Sequence, residues 1–367
     1  MDEALPDVSG QPLKQQPYLS EMKSKTRFIK NHLPHLALLL SSAAAMGGTE
    51  VVPAPAAPTM TSPDWLKVSG YAAAAYTYTD IEGAPDAETS FDAGTPFDAV
   101  KVGFEATQGA FSAYASLFYS PNTEANSFGP GSDAGILDAY VTYKTGDFSI
   151  TGGKYLSWLG YEAFDTVNMT QLTYANATVG AIPAYHTGIK VDYSTDVWGA
   201  GFNVSDSIRG GATQGFWGGD GELSDSIGYE GYVVYKGIEK LTLWAGFGFE
   251  SNDDPAVAGA DWQTYNFWAS YELTEKLTLA AEIAYHDDRV VEGTQGLLFA
   301  KYAFTDKFSL VGRFGIDEVN SGGDDNYRYT VAPTYAFNEH FLVRGELSYN
   351  DSVNDSMFYG AQALLKF

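Results

Sequence analysis

From about residue 66 onward, apolar and polar side chains change places at every step in segment after segment. That is the period of strands with one face in an apolar phase and the other in a polar one. In the last of these segments Met357, Tyr359, Ala361, Ala363, Leu365 and Phe367 share one face, and Phe358, Gly360, Gln362, Leu364 and Lys366 the other. Four units align almost residue for residue: Tyr235-KGIEK-Leu241, Tyr271-ELTEK-Leu277, Tyr302-AFTDK-Phe308 and Tyr335-AFNEH-Phe341, with shorter versions at Tyr143-KTGD-Phe148 and Tyr193-STDV-Trp198. Each reads as an aromatic strand end, a tight polar turn and an apolar restart, with short turns on one side and longer loops on the other. Alternation read outward from these turns predicts sixteen strands, at 66–79, 98–108, 111–120, 136–144, 148–154, 186–193, 197–205, 227–236, 241–250, 262–272, 277–286, 295–303, 308–317, 327–335, 341–349 and 357–367.

The two faces differ in chemistry. Leu241, Leu243, Ala245, Phe247 and Phe249 oppose Thr242, Trp244, Gly246, Gly248 and Glu250; Leu277, Leu279, Ala281, Ile283 and Tyr285 oppose Thr278, Ala280, Glu282, Ala284 and His286. Tyrosines precede the short turns, and Tyr78, Tyr119, Phe249, Tyr285 and Tyr349 mark the far ends, as two aromatic girdles would. The prediction is an all-β, transmembrane antiparallel up-and-down β-barrel of about sixteen strands in a bacterial outer membrane, over residues 65–367. Its partners would be outer-membrane lipid and lipopolysaccharide, with Phe367 offered to the barrel assembly machinery. A soluble sandwich also alternates, but has no reason to set aromatics at both ends of its outward faces.

Cysteine is absent, which removes disulfides, thiolate metal sites and a cysteine nucleophile. Glycine (39), tyrosine (25) and phenylalanine (22) are abundant against 18% charged residues, and the net charge of −25 opposes nucleic acid. Lys23, Lys25, Arg27 and Lys30, the apolar run from Leu33 to Met46 and Ala43-Ala44-Ala45 read as a signal peptide over 22–48. Residues 1–21 then read as upstream sequence from a misassigned start, and 49–64, rich in proline and alanine, as a periplasmic linker.

The predicted inward face carries Lys67, Lys101, Glu105, Asp138, Lys190, Asp192, Glu230, Glu282, Lys301, Arg313, Asp317, Arg328, Arg344, Glu346 and Lys366. Burying each dry would cost several kcal/mol unless it is paired, so these residues are expected to line a hydrated lumen. Arg313, Arg328, Arg344, Lys366, Lys67 and Lys101 fall on strands that become contiguous once the barrel closes. Glu230, Glu250, Glu272 and Glu282 lie across from them, so a transverse field is expected. Asp253-Asp254, Asp287-Asp288 and Asp324-Asp325, with Asp80, Glu82, Asp86, Glu88 and Asp92, make the outer loops acidic. They form a solvated rim or, as an alternative, hold divalent cations. His286-Asp287-Asp288 lacks the second acidic pair that a hydrolase of this architecture would need, so no catalytic residue, metal site or cofactor is assigned.

One stretch is motif-like. Gly153-Lys154-Tyr155-Leu156-Ser157-Trp158-Leu159-Gly160-Tyr161-Glu162, followed by Asn168, resembles the mid-chain signature of the OmpL-like putative β-barrel porin family, with Trp158 where that pattern has proline. The resemblance implies an outer-membrane porin. The segment from Leu156 to Tyr185 is too apolar for a solvated loop, carrying Trp158, Leu159, Tyr161, Phe164, Leu172 and Tyr174. It is expected to fold inward as the third outer loop. Trp158, Tyr161, Glu162, Asp165 and Asn168 would then form a constriction, and Glu162 and Asp165 would face the basic wall around Arg313 and Arg344. Alternatively it folds over the rim or meets a neighbouring protomer of a homo-oligomer. The function expected is passive diffusion of small hydrophilic solutes and ions. The rivals are a non-conducting barrel whose acidic loops bind a partner or divalent cations, and, more distantly, a hydrolase.

Overall fold

In the computed structural model, the described residues are 63–90, 99–120, 134–163, 165–175, 182–208, 226–252, 261–287, 292–320 and 325–367. The proposed signal peptide lies outside them, as does all of the linker but its last two residues. Seventeen strands form one antiparallel sheet: β1 (Leu66–Ile81), β2 (Ala87–Ser90), β3 (Ala99–Gln108), β4 (Phe111–Tyr119), β5 (Ala134–Thr145), β6 (Phe148–Leu156), β7 (Tyr185–Ser194), β8 (Trp198–Ser205), β9 (Ser226–Ile238), β10 (Leu241–Asn252), β11 (Asp261–Glu272), β12 (Leu277–Asp287), β13 (Glu292–Ala303), β14 (Phe308–Val319), β15 (Asn326–Ala336), β16 (Phe341–Asp351) and β17 (Ser356–Lys366).

The sheet closes on itself. β1 pairs with β17 from Tyr71↔Lys366 to Ile81↔Ser356, so no edge is left open to lipid. On its other side β1 pairs with β3 over Leu66–Ala73 and with β2 over Tyr76–Thr79. β2 and β3 therefore occupy one stave, and the barrel has sixteen. All sixteen strands predicted from alternation are present, each boundary within three residues. β2 is the addition: Ala-Glu-Thr-Ser has no apolar alternation, and its pairing comes from backbone register alone.

Turn chemistry explains why the repeated units fold alike. In three of them one side-chain oxygen accepts two backbone N–H groups of the turn. Thr274 Oγ1 accepts from Lys276 and Leu277, Thr305 Oγ1 from Lys307 and Phe308, and Asn338 Oδ1 from His340 and Phe341, at 2.8–3.2 Å. The fourth unit has Ile238 at that position and turns through Lys240 at φ 64° instead.

The outward face is an apolar belt in which Ile189, Leu298 and Ile283 are more than half exposed. Aromatic pairs near the short turns, Phe111–Tyr143, Phe148–Tyr193 and Trp198–Tyr235, have ring centroids 4.4–4.9 Å apart. The core lies on the inner side. Tyr71, Phe118, Leu137, Tyr185 and Leu364 cluster there with Leu156 and Val167 packed against them, and Leu172 packs with Ala75 and Phe358.

That packing corrects one expectation. The inward charges were expected to stand in water, yet Lys101, Asp138, Glu230, Glu282, Arg313, Asp317, Arg344 and Glu346 are all buried. Counting the charges of the wall alone overlooked the donors and acceptors that the chain between β6 and β7 brings to them.

Candidate functional site

Among the described residues of this segment, 157–163 and 165–175, none lies in a helix or strand, so their backbone N–H and C=O groups need partners from elsewhere. Inward side chains of the strands supply many of them. Ser157 Oγ and the Trp158 N–H donate to the Glu230 carboxylate of β9 at 2.8 and 2.7 Å. The Gly160 N–H donates to Asn266 of β11 at 3.1 Å, and the Tyr161 N–H to Glu282 of β12 at 2.9 Å. Asn266 in turn donates to Glu282 at 2.7 Å. Further on, the Leu172 and Thr173 N–H groups donate to Glu346 of β16 at 2.6 and 2.9 Å.

The arginines take the carbonyls. Arg344 donates to the carbonyls of Thr166, at 2.8 Å, and Met169. Arg313 donates to the Thr173 carbonyl and Arg328 to that of Tyr174. Wall carboxylates thus hold N–H groups and wall guanidiniums hold C=O groups, a division that suits an irregular strap running from strand to strand.

Ion pairs complete the attachment. Glu162 meets Arg313 at 2.7 Å, and Arg313 also lies 3.8 Å from Glu346. Asp165 meets Lys101 at 2.8 Å, which bridges to Asp138 at 3.0 Å, and Ser116 donates to Asp138 at 2.6 Å. The wall charges Lys101, Asp138, Arg313 and Glu346 are buried and Glu162 and Asp165 half-buried, all of them paired, the condition under which buried ions are tolerated.

The placement of the other sequence-selected residues is mixed. Trp158 sets its ring 4.8 Å from Tyr232, and the Lys190 ammonium lies 4.8 Å over that indole. Tyr161 packs edge-on to Trp268 and Phe299. Asp192 accepts from the Tyr232 hydroxyl at 3.2 Å. Asn168 is exposed, in a turn whose N–H donates to the Asp165 carbonyl. Lys67 is exposed opposite Glu105 on β3. Glu105 and Lys301, both half-buried, lie apart from the strap. Within the basic wall that Asp165 was expected to face, its partner is Lys101, while Arg344 donates to two carbonyls.

Sequence reasoning missed His186, whose Nε2 lies 2.7 Å from Glu230 with both side chains fully buried. It stands in phase with Lys190 and Asp192 on β7, so the period-two pattern already marked it as inward. Asn266, Thr173 and Gln171 were missed for want of any charge. The acidic residues Asp92, Asp253, Asp254, Asp288 and Asp324 lie outside the described residues.

Comparisons with known proteins agree with this architecture. The family model of the putative beta-barrel porin-2, OmpL-like, matches residues 66–363. Among solved structures, the anion-selective porin from Comamonas acidovorans superposes with a TM-score of 0.60 at 12% identity, covering 82% of this chain and 99% of that one. Salmonella typhi OmpF in complex with daunomycin gives 0.61 at 12% identity, covering 82% and 97%. A loop-deletion form of OmpT, an outer membrane protein of Vibrio cholerae, gives 0.57 at 14%, covering 83% and 100%. No curated protein sequence matches the chain.

Proposed function

Because the chain belongs to the OmpL-like putative beta-barrel porin-2 family of outer-membrane barrels, we propose that it is a porin for passive diffusion of small hydrophilic solutes and ions. The strap of residues 157–175 would be folded into the lumen as its constriction. The observation that carries this reading is the circuit of attachments. In chain order the strap meets β9, β11, β12 and β14, then β3, β16 and β15, all through inward side chains. A segment bonded to staves on opposite sides of a closed barrel narrows whatever passes through it. The arginines of β14–β16 and the glutamates of β9 and β12 flank it, giving the opposed charges that orient polar solutes. Binding and orientation suffice for such a function, and no bond-making step is assigned to any residue.

The same packing favours a second reading. A strap this firmly bonded would also suit a barrel that does not conduct and whose outer loops bind a partner or divalent cations. Single-channel recording in a planar bilayer separates the two. A porin gives steps in the full-length barrel and larger ones when residues 160–178 are deleted. A barrel that assembles and conducts in neither form is not a porin. Unchanged conductance after the deletion would place the strap outside the path.

Contacts with lipopolysaccharide, recognition of Phe367 during assembly and homo-oligomerisation belong to the same proposal. The strand register and the apolar outward belt support them.

A further inference from the structure

One arc of the inner wall is aromatic. The rings of Tyr232, Trp244 and Trp268, from β9, β10 and β11, run side by side. Their centroids are 6.0 and 5.8 Å apart, with interplanar angles of 8° and 5°. Trp158 and Tyr161 of the strap close the two ends, at 4.8 Å from Tyr232 and 5.5 Å from Trp268, and Phe299 of β13 continues the row beyond Tyr161 at 5.5 Å.

Glycines let these rings lie along the wall. A Cβ on Gly201 would meet the Tyr232 ring at 2.4 Å, and one on Gly246 would meet the Trp244 ring at 2.4 Å. The strap reaches the same glycines, since a Cβ on Gly246 would also meet Leu159 at 2.9 Å and one on Gly201 the Trp158 ring at 3.0 Å. Trp244 is buried in the middle, while Tyr232 and Trp268 on either side are only half-buried.

The level of the arc is set by register. Tyr232 is two residues beyond Glu230 and Trp268 two beyond Asn266, each nearer the short-turn end of its strand. At about 3.3 Å per residue, the arc lies roughly 7 Å from the line where Glu230 and Asn266 hold the strap, on the short-turn side. Across the barrel on that side, a cavity of about 450 Å³ lined by Tyr71, Lys101, Tyr114, Asp165 and Lys366 leaves open space. The arc's rings are not among its lining residues, so the cavity bears on the open path and not on the arc itself.

We propose that this arc is a subsite for the pyranose ring of a neutral saccharide. The inference rests on the porin reading and names the solute class for it. Flat, electron-rich ring faces attract the polarised C–H groups of a sugar's apolar face. Lys190 and Asp192, beside Trp158 and Tyr232, supply a donor and an acceptor for hydroxyls. An organic cation would also favour ring faces, attracted by Asp192 and repelled by Lys190 at the same end of the arc, and is therefore the competing class that the titration separates.

The test is a titration of the folded full-length barrel in detergent, with tryptophan fluorescence as the signal and methyl α-glucopyranoside as the probe. Mannitol, an acyclic polyol, and tetramethylammonium serve as comparisons. The glucoside is expected to shift the emission saturably, with neither comparison compound doing so. Trp268→Ala should weaken binding about fivefold, the scale of one lost stacking partner, and Trp268→Phe should restore most of it. Tyr232→Leu offers a second truncation if Trp268→Ala does not fold, as judged by migration of the unheated sample. An equal response to mannitol, a response only to the cation, no response, or binding unaffected by both truncations each overturns the proposal. Because fluorescence reads binding without current, a barrel that conducts but binds no glucoside defeats only this inference. One that binds but never conducts defeats only the porin reading.

Discussion

Glu162 and Arg313 are 151 residues apart in sequence and meet at 2.7 Å, the carboxylate from the strap and the guanidinium from β14. Around them Glu162 also accepts from the Ala175 N–H at 2.6 Å, and Arg313 donates to Thr173 Oγ1 at 2.9 Å and Thr330 Oγ1 at 3.0 Å. One ion pair therefore gathers Glu162 and residues 173–175 of the strap at a single stave.

Removing half of this pair should cost far more than removing both halves. Arg313→Met leaves Glu162 facing Glu346 with no guanidinium between them, at a cost on the order of 3–5 kcal/mol. Glu162→Gln with Arg313→Met should recover much of that. The temperature at which the barrel loses its fast, unheated gel migration reads the difference. Two single variants and a double variant with additive losses would show that the residues are not coupled.

The surroundings of Arg344 give it an anchoring role in place of that of a lumen charge standing in water. At 1% exposure it donates to the carbonyls of Met169 and Thr166. Arg344→Glu sets a carboxylate against two carbonyl oxygens, so the expected outcome is release of the strap. Single-channel conductance should rise and become noisier, with Arg344→Lys close to wild type. A change in ion selectivity at constant conductance would contradict this role.

The strands were legible because each satisfies a local rule, alternation against two phases, that needs no knowledge of its neighbours. Glu162 facing Arg313 was legible from charge and topology. For Asp165 the basic wall was legible but not which of its members would be the partner, Lys101, since the carbonyls that Arg344 binds carry no sequence signal. The burial of Glu230 and Glu346 was hidden for the same reason: their partners are N–H groups, which every residue but proline has. His186 was in phase and visible, but an isolated histidine says little without Glu230 beside it.

Lys240 offers a test of turn strain. It occupies the left-handed region at φ 64° in the one repeated unit without a Thr or Asn cap. An L-residue there is disfavoured by about 1–2 kcal/mol, and glycine adopts it freely at some cost from the unfolded chain. Lys240→Gly should leave the barrel as stable or raise its unfolding temperature slightly, whereas Thr305→Gly, which removes a cap accepting two N–H groups, should lower it. Equal losses in both would mean that turn conformation does not limit stability here.

The facing of the strands can be tested by charge. Leu298 lies midway along β13 and is 58% exposed on the outward belt. Thr242 is on the inward face of β10, near the short-turn mouth. An arginine at Leu298 would sit in the hydrocarbon layer at a cost of about 2–4 kcal/mol near the midplane, while the same side chain at Thr242 would reach the water of the mouth. Leu298→Arg should therefore cut the yield of folded barrel in lipid vesicles severalfold, and Thr242→Arg should leave it near wild type. In detergent micelles, whose apolar layer is deformable, the gap between the two should shrink. Similar yields in vesicles would mean that the belt containing Leu298 does not face lipid.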